Sequence, residues 1–245
     1  MYGWRGRLGI MVPSVNTVME PELNRMAPEG VSVHAARLRA EGAFSSESLL
    51  AMADHTENAA EELAHAADVL AYGCTSGSFV QGRGWDEDLV ARIERVTHKP
   101  ATATSTAIVR ALRALGLQTI AVATPYTREV NQRLAAFFEQ HGFEVLDVKG
   151  LEVAVRGGQG VYPATTAYRL AKEVDDPRAD GILISCTNFR TIEVIELLEA
   201  DLGKPVVTSN QATFWDLLRL ARVSDRVPGY GTLLRQEGRL AAVPA

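Results

Sequence analysis

The chain has 245 residues, 22% of them charged and 47% apolar, and a net charge of −5 from 25 basic and 30 acidic side chains. The length suits one large domain or two small ones, and the composition excludes disordered, collagenous and coiled-coil chains. Basic residues form no cluster, so no nucleic-acid partner is expected, and no apolar run approaches the ~20 residues of a membrane span, so no membrane partner is expected either.

In chain order, Leu8–Pro13 (LGIMVP) is the first predicted strand. The N-terminal residues Met1–Arg7 hold two arginines, but the apolar stretch that follows, Leu8–Val12, is too short for the core of a signal peptide. Ser14, Asn16 and Thr17 fill the turn that follows. Residues 47–65 are helical by composition, with Ser45 and Ser46 as candidate caps. Asp68–Thr75 (DVLAYGCT) is a strand ending in Cys-Thr, and Lys99–Ser105 (KPATATS) is another. Ile108, Leu112 and Leu115 then mark one helix face. In the second half, Thr119–Pro125 (TIAVATP) is a strand, and Val130, Leu134, Phe137 and Phe138 mark a helix that Gly142 stops. Arg156–Val161 (RGGQGV) reads as a flexible loop and a candidate lid. Residues 166–174 are helical, Asp180–Thr187 (DGILISCT) is a strand that again ends in Cys-Thr, and Lys204–Ser209 (KPVVTS) precedes a helix bearing Phe214, Leu217 and Leu218. The stretch Thr213–Leu220 suits either core or a dimer surface, and Ala241–Ala245 reads as an unstructured tail.

These segments form an internal repeat. Pro13 precedes Cys74 by 61 positions, and Pro125 precedes Cys186 by 61. Lys99 lies 25 beyond Cys74, and Lys204 lies 18 beyond Cys186. Three matched pairs in one order predict an α/β chain of two pseudo-twofold-related lobes. Each is a parallel sheet flanked by helices, with three strands alternating with three helices. The expected division is an N-terminal lobe over residues 1–116 carrying Cys74 and a C-terminal lobe over 117–222 carrying Cys186. Residues 223–245 return to the first lobe and end in the tail.

Ligands of open α/β sheets bind at the carboxyl ends of strands, where both cysteines fall. A thiol just before a helix meets N–H groups and a positive dipole end, which predicts a lowered pKa. A single such Cys is more often a small buried hydrophobe, but the duplicated placement favours a functional pair; a disulfide between the two is the lesser alternative. Ser14, Asn16, Thr75, Ser76, Tyr126, Thr187 and Asn188 offer donors suited to a small carboxylate, and the same residue types also serve as caps and turns. Arg128 and Arg190 read as rim residues, and Glu20 and Glu22 as complements to a helix dipole. The five histidines have no ligand spacing and no CxxC, GxGxxG or Walker pattern occurs, so no metal and no nucleotide cofactor are expected. Two cysteines in this length fit a cytoplasmic protein with reduced thiols.

The stretches PSVNTVMEPE (13–22), YGCTSGS (72–78), ATPYTREV (123–130) and SCTNFRT (185–191) resemble the aspartate/glutamate racemase superfamily, and within it the branch of maleate cis–trans isomerases and arylmalonate decarboxylases. The resemblance runs from about Arg7 to Arg222. It implies cofactor-free chemistry through an enediolate-like intermediate on a small carboxylate, and a homo-oligomer. Cysteines at both 74 and 186 resemble isomerases and racemases more than decarboxylases, which keep the second alone. The resemblance therefore implies maleate-to-fumarate isomerisation through a covalent Cys74 adduct, assisted by Cys186. Thr75–Ser78 departs from this, being closer to decarboxylases and to racemase-like proteins of ectoine catabolism. The alternatives are a two-cysteine amino-acid racemase, an arylmalonate-type decarboxylase and, least favoured, a non-catalytic dicarboxylate binder.

Overall fold

A computed structural model describes residues 2–41 and 45–235. The predicted tail at Ala241–Ala245 lies outside the described residues. The first half contains β1 (Gly6–Pro13), α1 (Met19–Met26), β2 (Val31–Leu38), α2 (Ser46–Ala53), α3 (Thr56–Ala64), β3 (Val69–Tyr72), α4 (Thr75–Phe79), α5 (Trp85–Thr97), β4 (Ala101–Ala103) and α6 (Thr104–Ala114). The second contains β5 (Thr119–Thr124), α7 (Arg128–Gln140), β6 (Glu144–Gly150), a 3-10 turn at Gly158–Val161, α8 (Ala164–Val174), β7 (Gly181–Ile184), α9 (Ile195–Leu202), β8 (Val206–Thr208), α10 (Ser209–Leu220) and α11 (Thr232–Arg235). No helix among the described residues is long and apolar enough to cross a membrane.

Two four-stranded parallel sheets result, ordered β2-β1-β3-β4 and β6-β5-β7-β8. The sequence expectation of three strands per lobe therefore missed one strand in each. Both missed strands, β2 and β6, lie at a sheet edge and are largely half-buried, so they lack the continuous apolar run that marks a strand covered on both faces. The helix expected over 47–65 is in fact two, α2 and α3, broken at Asp54–His55. Ser45 does cap the first of them, with Ser48 returning the capping bond.

The repeat appears in the details that join strands to helices. Asp68 accepts the Arg7 backbone N–H, and its counterpart Asp180 accepts those of Gln118 and Thr119, so each holds the start of the neighbouring strand. Lys99 donates to the carbonyls of Ala64 at the end of α3 and Ala67 beyond it, and Lys204 donates to Asp176 O beyond α8, a cation at each helix C-terminus. Most of the difference between the two Cys-to-Lys spacings comes from α5 having 13 residues and α9 only 8.

One hydrophobic core spans both halves, and a second lies within the first. α10 packs against α6 and against β1, β3 and β4, although it follows β8 in sequence. Phe214, Leu217 and Leu218 are buried there, which places the Thr213–Leu220 stretch in the core. Beyond α10, Asp225 pairs with Arg5 and the Tyr230 hydroxyl donates to Arg25 O in the first half, while Thr232 and Arg235 of α11 donate to Glu199 of α9 in the second.

Candidate active site

β3 and β7 each end one residue short of a cysteine-bearing turn. Gly73 separates β3 from Cys74, and a Cβ at that position would lie 2.8 Å from Met19 Sδ and 2.9 Å from Met11 O, so only glycine lets the strand pass so close to β1 and α1. Cys74 then occupies the cap position of α4. Gly77, one turn on, would bring a Cβ to 2.6 Å from Tyr72 Oη and 3.2 Å from Cys74 Sγ; its absence leaves room for the thiol.

Cys74 and Cys186, one from each lobe, line a single cavity of about 40 Å³. One water needs roughly 10–15 Å³, so the space suits a small acid rather than a nucleotide. Asn16, Thr75, Ser76, Tyr126, Thr187 and Asn188 line the same cavity. Both cysteines are free thiols, which excludes the disulfide alternative.

The polar residues hold one another in place. Asn16 Oδ1 accepts the Val18 and Met19 N–H groups, capping the entry to α1, while its Nδ2 donates to Thr187 Oγ1 at 3.1 Å in the other lobe. Thr187 Oγ1 donates in turn to Gly73 O. Asn188 accepts Thr17 N–H, donates to Gly157 O at 3.3 Å, and gives its own backbone N–H to Cys186 Sγ at 3.4 Å. Ser209, which the sequence reading did not single out, accepts both the Thr75 hydroxyl and the Cys186 N–H at 3.0 Å. The buried Tyr126 hydroxyl bonds to Thr75 and to Cys186 Sγ.

The thiols run against expectation. Cys74 and Cys186 are only 5% and 7% exposed, and burial pushes both pKa values up rather than down. For Cys74 the Gly77 N–H, the Ser76 hydroxyl and the charge of Arg156 offset that rise in part. Cys186 is pushed up to about 12, by burial first, against the Asn188 N–H and Tyr126 and with the charge of Cys74 adding to the rise. The five-residue α4 is too short a dipole to outweigh desolvation. Burial thus favours the protonated form of both thiols in the neutral range, and the charge of Arg156 opposes it at Cys74.

Several candidates fall elsewhere. Ser14 is exposed, accepts Ala40 N–H at 3.2 Å and does not line the cavity, because the turn after Pro13 aims it toward the end of β2. Arg128 and Arg190 are exposed and outside the cavity, Arg190 pairing with Glu193. Glu20 pairs with Arg37. Glu22 is 5% exposed and reaches across to the second lobe, where it accepts Thr191 N–H at 2.7 Å, Ile192 N–H and Asn210 Nδ2. Burial pushes its pKa up to about 7 against those donors. The RGGQGV segment forms part of the cavity wall through Arg156, Gly157 and Gln159.

Residues 8–234 match the family described as arylmalonate decarboxylase. The chain belongs to the arylmalonate decarboxylase family. Among its relatives, the maleate isomerase of Nocardia farcinica is 33% identical over 96% of this chain and 98% of its own length. An arylmalonate decarboxylase of Bordetella bronchiseptica is 39% identical over 65% of this chain and 68% of its own. A solved cysteine-to-serine mutant of the Nocardia farcinica maleate cis–trans isomerase, with a covalently bound succinylcysteine intermediate, superposes with a TM-score of 0.89 at 29% identity, covering 95% of this chain and 99% of that one. This family member thus shares its fold, nearly end to end, with an isomerase trapped as a cysteine adduct.

Proposed function

We propose that the protein is a cofactor-independent isomerase that converts maleate to fumarate through a covalent adduct on Cys74. The observation that carries the reading is the pair of thiols, one from each lobe, in one small cavity lined with neutral donors. The succinylcysteine found in the related isomerase supports the adduct.

Cys74, as thiolate, adds to C2 of the alkene, and the displaced π pair passes to C3 and onto the neighbouring carboxylate as an enediolate. The C2–C3 bond is now single and rotates. Donors held by the turns, from Asn16, Thr75, Ser76, Tyr126 and Asn188, stabilise the new charge; one well-placed donor is worth roughly 3–4 kcal/mol. Cys186, protonated at neutral pH, gives its proton to C3 to form the succinyl thioether and takes it back. Expulsion of the Cys74 thiolate restores the double bond as fumarate, with no net change in the enzyme.

In this reading residues 1–116 and 117–222 are the two lobes, and the chain beyond 222 returns to the first. A homo-oligomer in the cytoplasm belongs to the same reading, as the superfamily resemblance implies. Proton NMR of the protein with maleate in deuterated buffer tests the function. Fumarate from the wild type and none from Cys74→Ala is expected. Deuterium entering Cα of aspartate or glutamate instead, or carbon dioxide released from an arylmalonate, would replace the isomerase reading with the racemase or decarboxylase one.

A further inference from the structure

The sequence motifs leave one charged residue of the cavity wall unexplained. Among the described residues that line the cavity, Arg156 is the one with a fixed charge. It belongs to the segment between β6 and the 3-10 turn, and its Nη2 donates to Ser48 Oγ of α2 at 2.5 Å, in the first lobe. The glycines beside it permit this crossing. Gly157 has φ +77°, and a Cβ there would lie 3.2 Å from Val15 Cβ; at Gly160 a Cβ would lie 2.9 Å from both Asn188 Oδ1 and Thr17 Oγ1. Asn188, two residues beyond Cys186, ties the strap down through Gly157 O. The guanidinium is therefore held at the cavity by both lobes.

A dicarboxylate brings two negative charges into this space. The hydroxyls and N–H groups of the two Cys-Thr turns are neutral donors that suit one carboxylate. Pro13, Val15, Leu49 and Met52 supply the apolar part of the wall. A second carboxylate left against that surface would lose its hydration without a partner, which is costly. We infer that Arg156 selects substrates with a second carboxylate by pairing with it while the Cys-Thr turns hold the first. The inference rests on reading the site as one for a dicarboxylate. The planar fork of a guanidinium matches a carboxylate, and its link to Ser48 fixes its aim before the ligand arrives. Arg156 and Cys74 line the same small cavity, so a carboxylate paired with the guanidinium shares that space with the attacking sulfur.

Calorimetric titration of the wild type, Arg156→Met and Arg156→Lys with succinate and with butyrate tests the inference. These acids have the same chain length, one or two carboxylates and no alkene, so turnover plays no part. In Arg156→Met the succinate Kd is expected to rise about ten- to a hundredfold, the range for a hydrogen bond to a charged group, while the butyrate Kd stays within about threefold. Arg156→Lys recovers part of the loss, and stands in should the methionine variant fail to fold. Equal weakening of both acids would show a structural role and overturn the inference, as would a wild type with no preference for succinate. A protein that prefers succinate through Arg156 yet makes no fumarate keeps this inference and loses the isomerase reading; fumarate production without that preference does the reverse.

Discussion

Glu22 gives the sharpest physical test of how the lobes are joined. It starts on α1 and ends among donors of the other lobe, buried to 5% exposure. Its pKa moves from 4.5 to about 7, with burial as the largest cause and the Asn210 and backbone bonds working against it. A raised folded-state pKa means that the folded protein holds the proton more tightly than the unfolded chain. The contribution to stability is then full below pH 4.5 and is lost as pH rises through about 7. At 1.36 kcal/mol per pH unit the total loss is about 3 kcal/mol. Glu22→Gln removes the titration. Urea unfolding of both proteins from pH 4.5 to pH 8 should therefore show the stability of the wild type falling by about 3 kcal/mol relative to the variant. A difference between the two that stays constant across that range would refute the reasoning, since it would mean that the carboxyl is charged, or equally protonated, in both states.

Three further outcomes follow from the site. Gly160→Ala forces a Cβ to within 2.9 Å of Asn188 and Thr17, so KM for maleate should rise more than tenfold, roughly, while Tm moves by only a few degrees; an unchanged KM would show that the strap does not shape the cavity. Ser209→Ala leaves the buried Cys186 N–H without its acceptor and releases the Thr75 hydroxyl, a loss of about 1–3 kcal/mol that should appear in kcat more than in KM; an unchanged kcat would remove Ser209 from the positioning of Cys186. Because burial raises the Cys74 pKa, the thiolate fraction grows about tenfold per pH unit below it, and kcat/KM should climb through neutrality into the alkaline range. A profile that peaks in mild acid would contradict Cys74 as the attacking thiolate.

Much of the site was legible because it is built twice. The matched Cys-Thr turns at a shared spacing from Pro13 and Pro125 located both thiols, and with them Thr75, Ser76, Thr187 and Asn188. Asn16 and Tyr126 were legible from the turns after the paired prolines. The features that escaped depend on what lies across the fold rather than along the chain. β2 and β6 are edge strands whose half-buried residues blur the apolar pattern. Arg156 sits in a glycine-rich loop, where nothing local shows that Ser48 will meet it from the other lobe. Ser209 begins a helix like any capping serine, and its role depends on Thr75 lying 134 positions away. Glu22 looked like a helix-dipole residue because the donors it accepts from, at Thr191 and Asn210, are remote in sequence. The direction of the thiol shifts was misread because strand-end placement suggests helix dipoles, whereas depth of burial decides the sign.

The central claim is that Cys74 carries the substrate, and mass spectrometry of the intact protein tests it most directly. Cys186→Ser incubated with maleate and quenched in acid should gain the mass of one maleate, and digestion should place it on the peptide containing Cys74. An unmodified Cys186→Ser protein, together with a Cys74→Ala variant that still forms fumarate, would contradict the account.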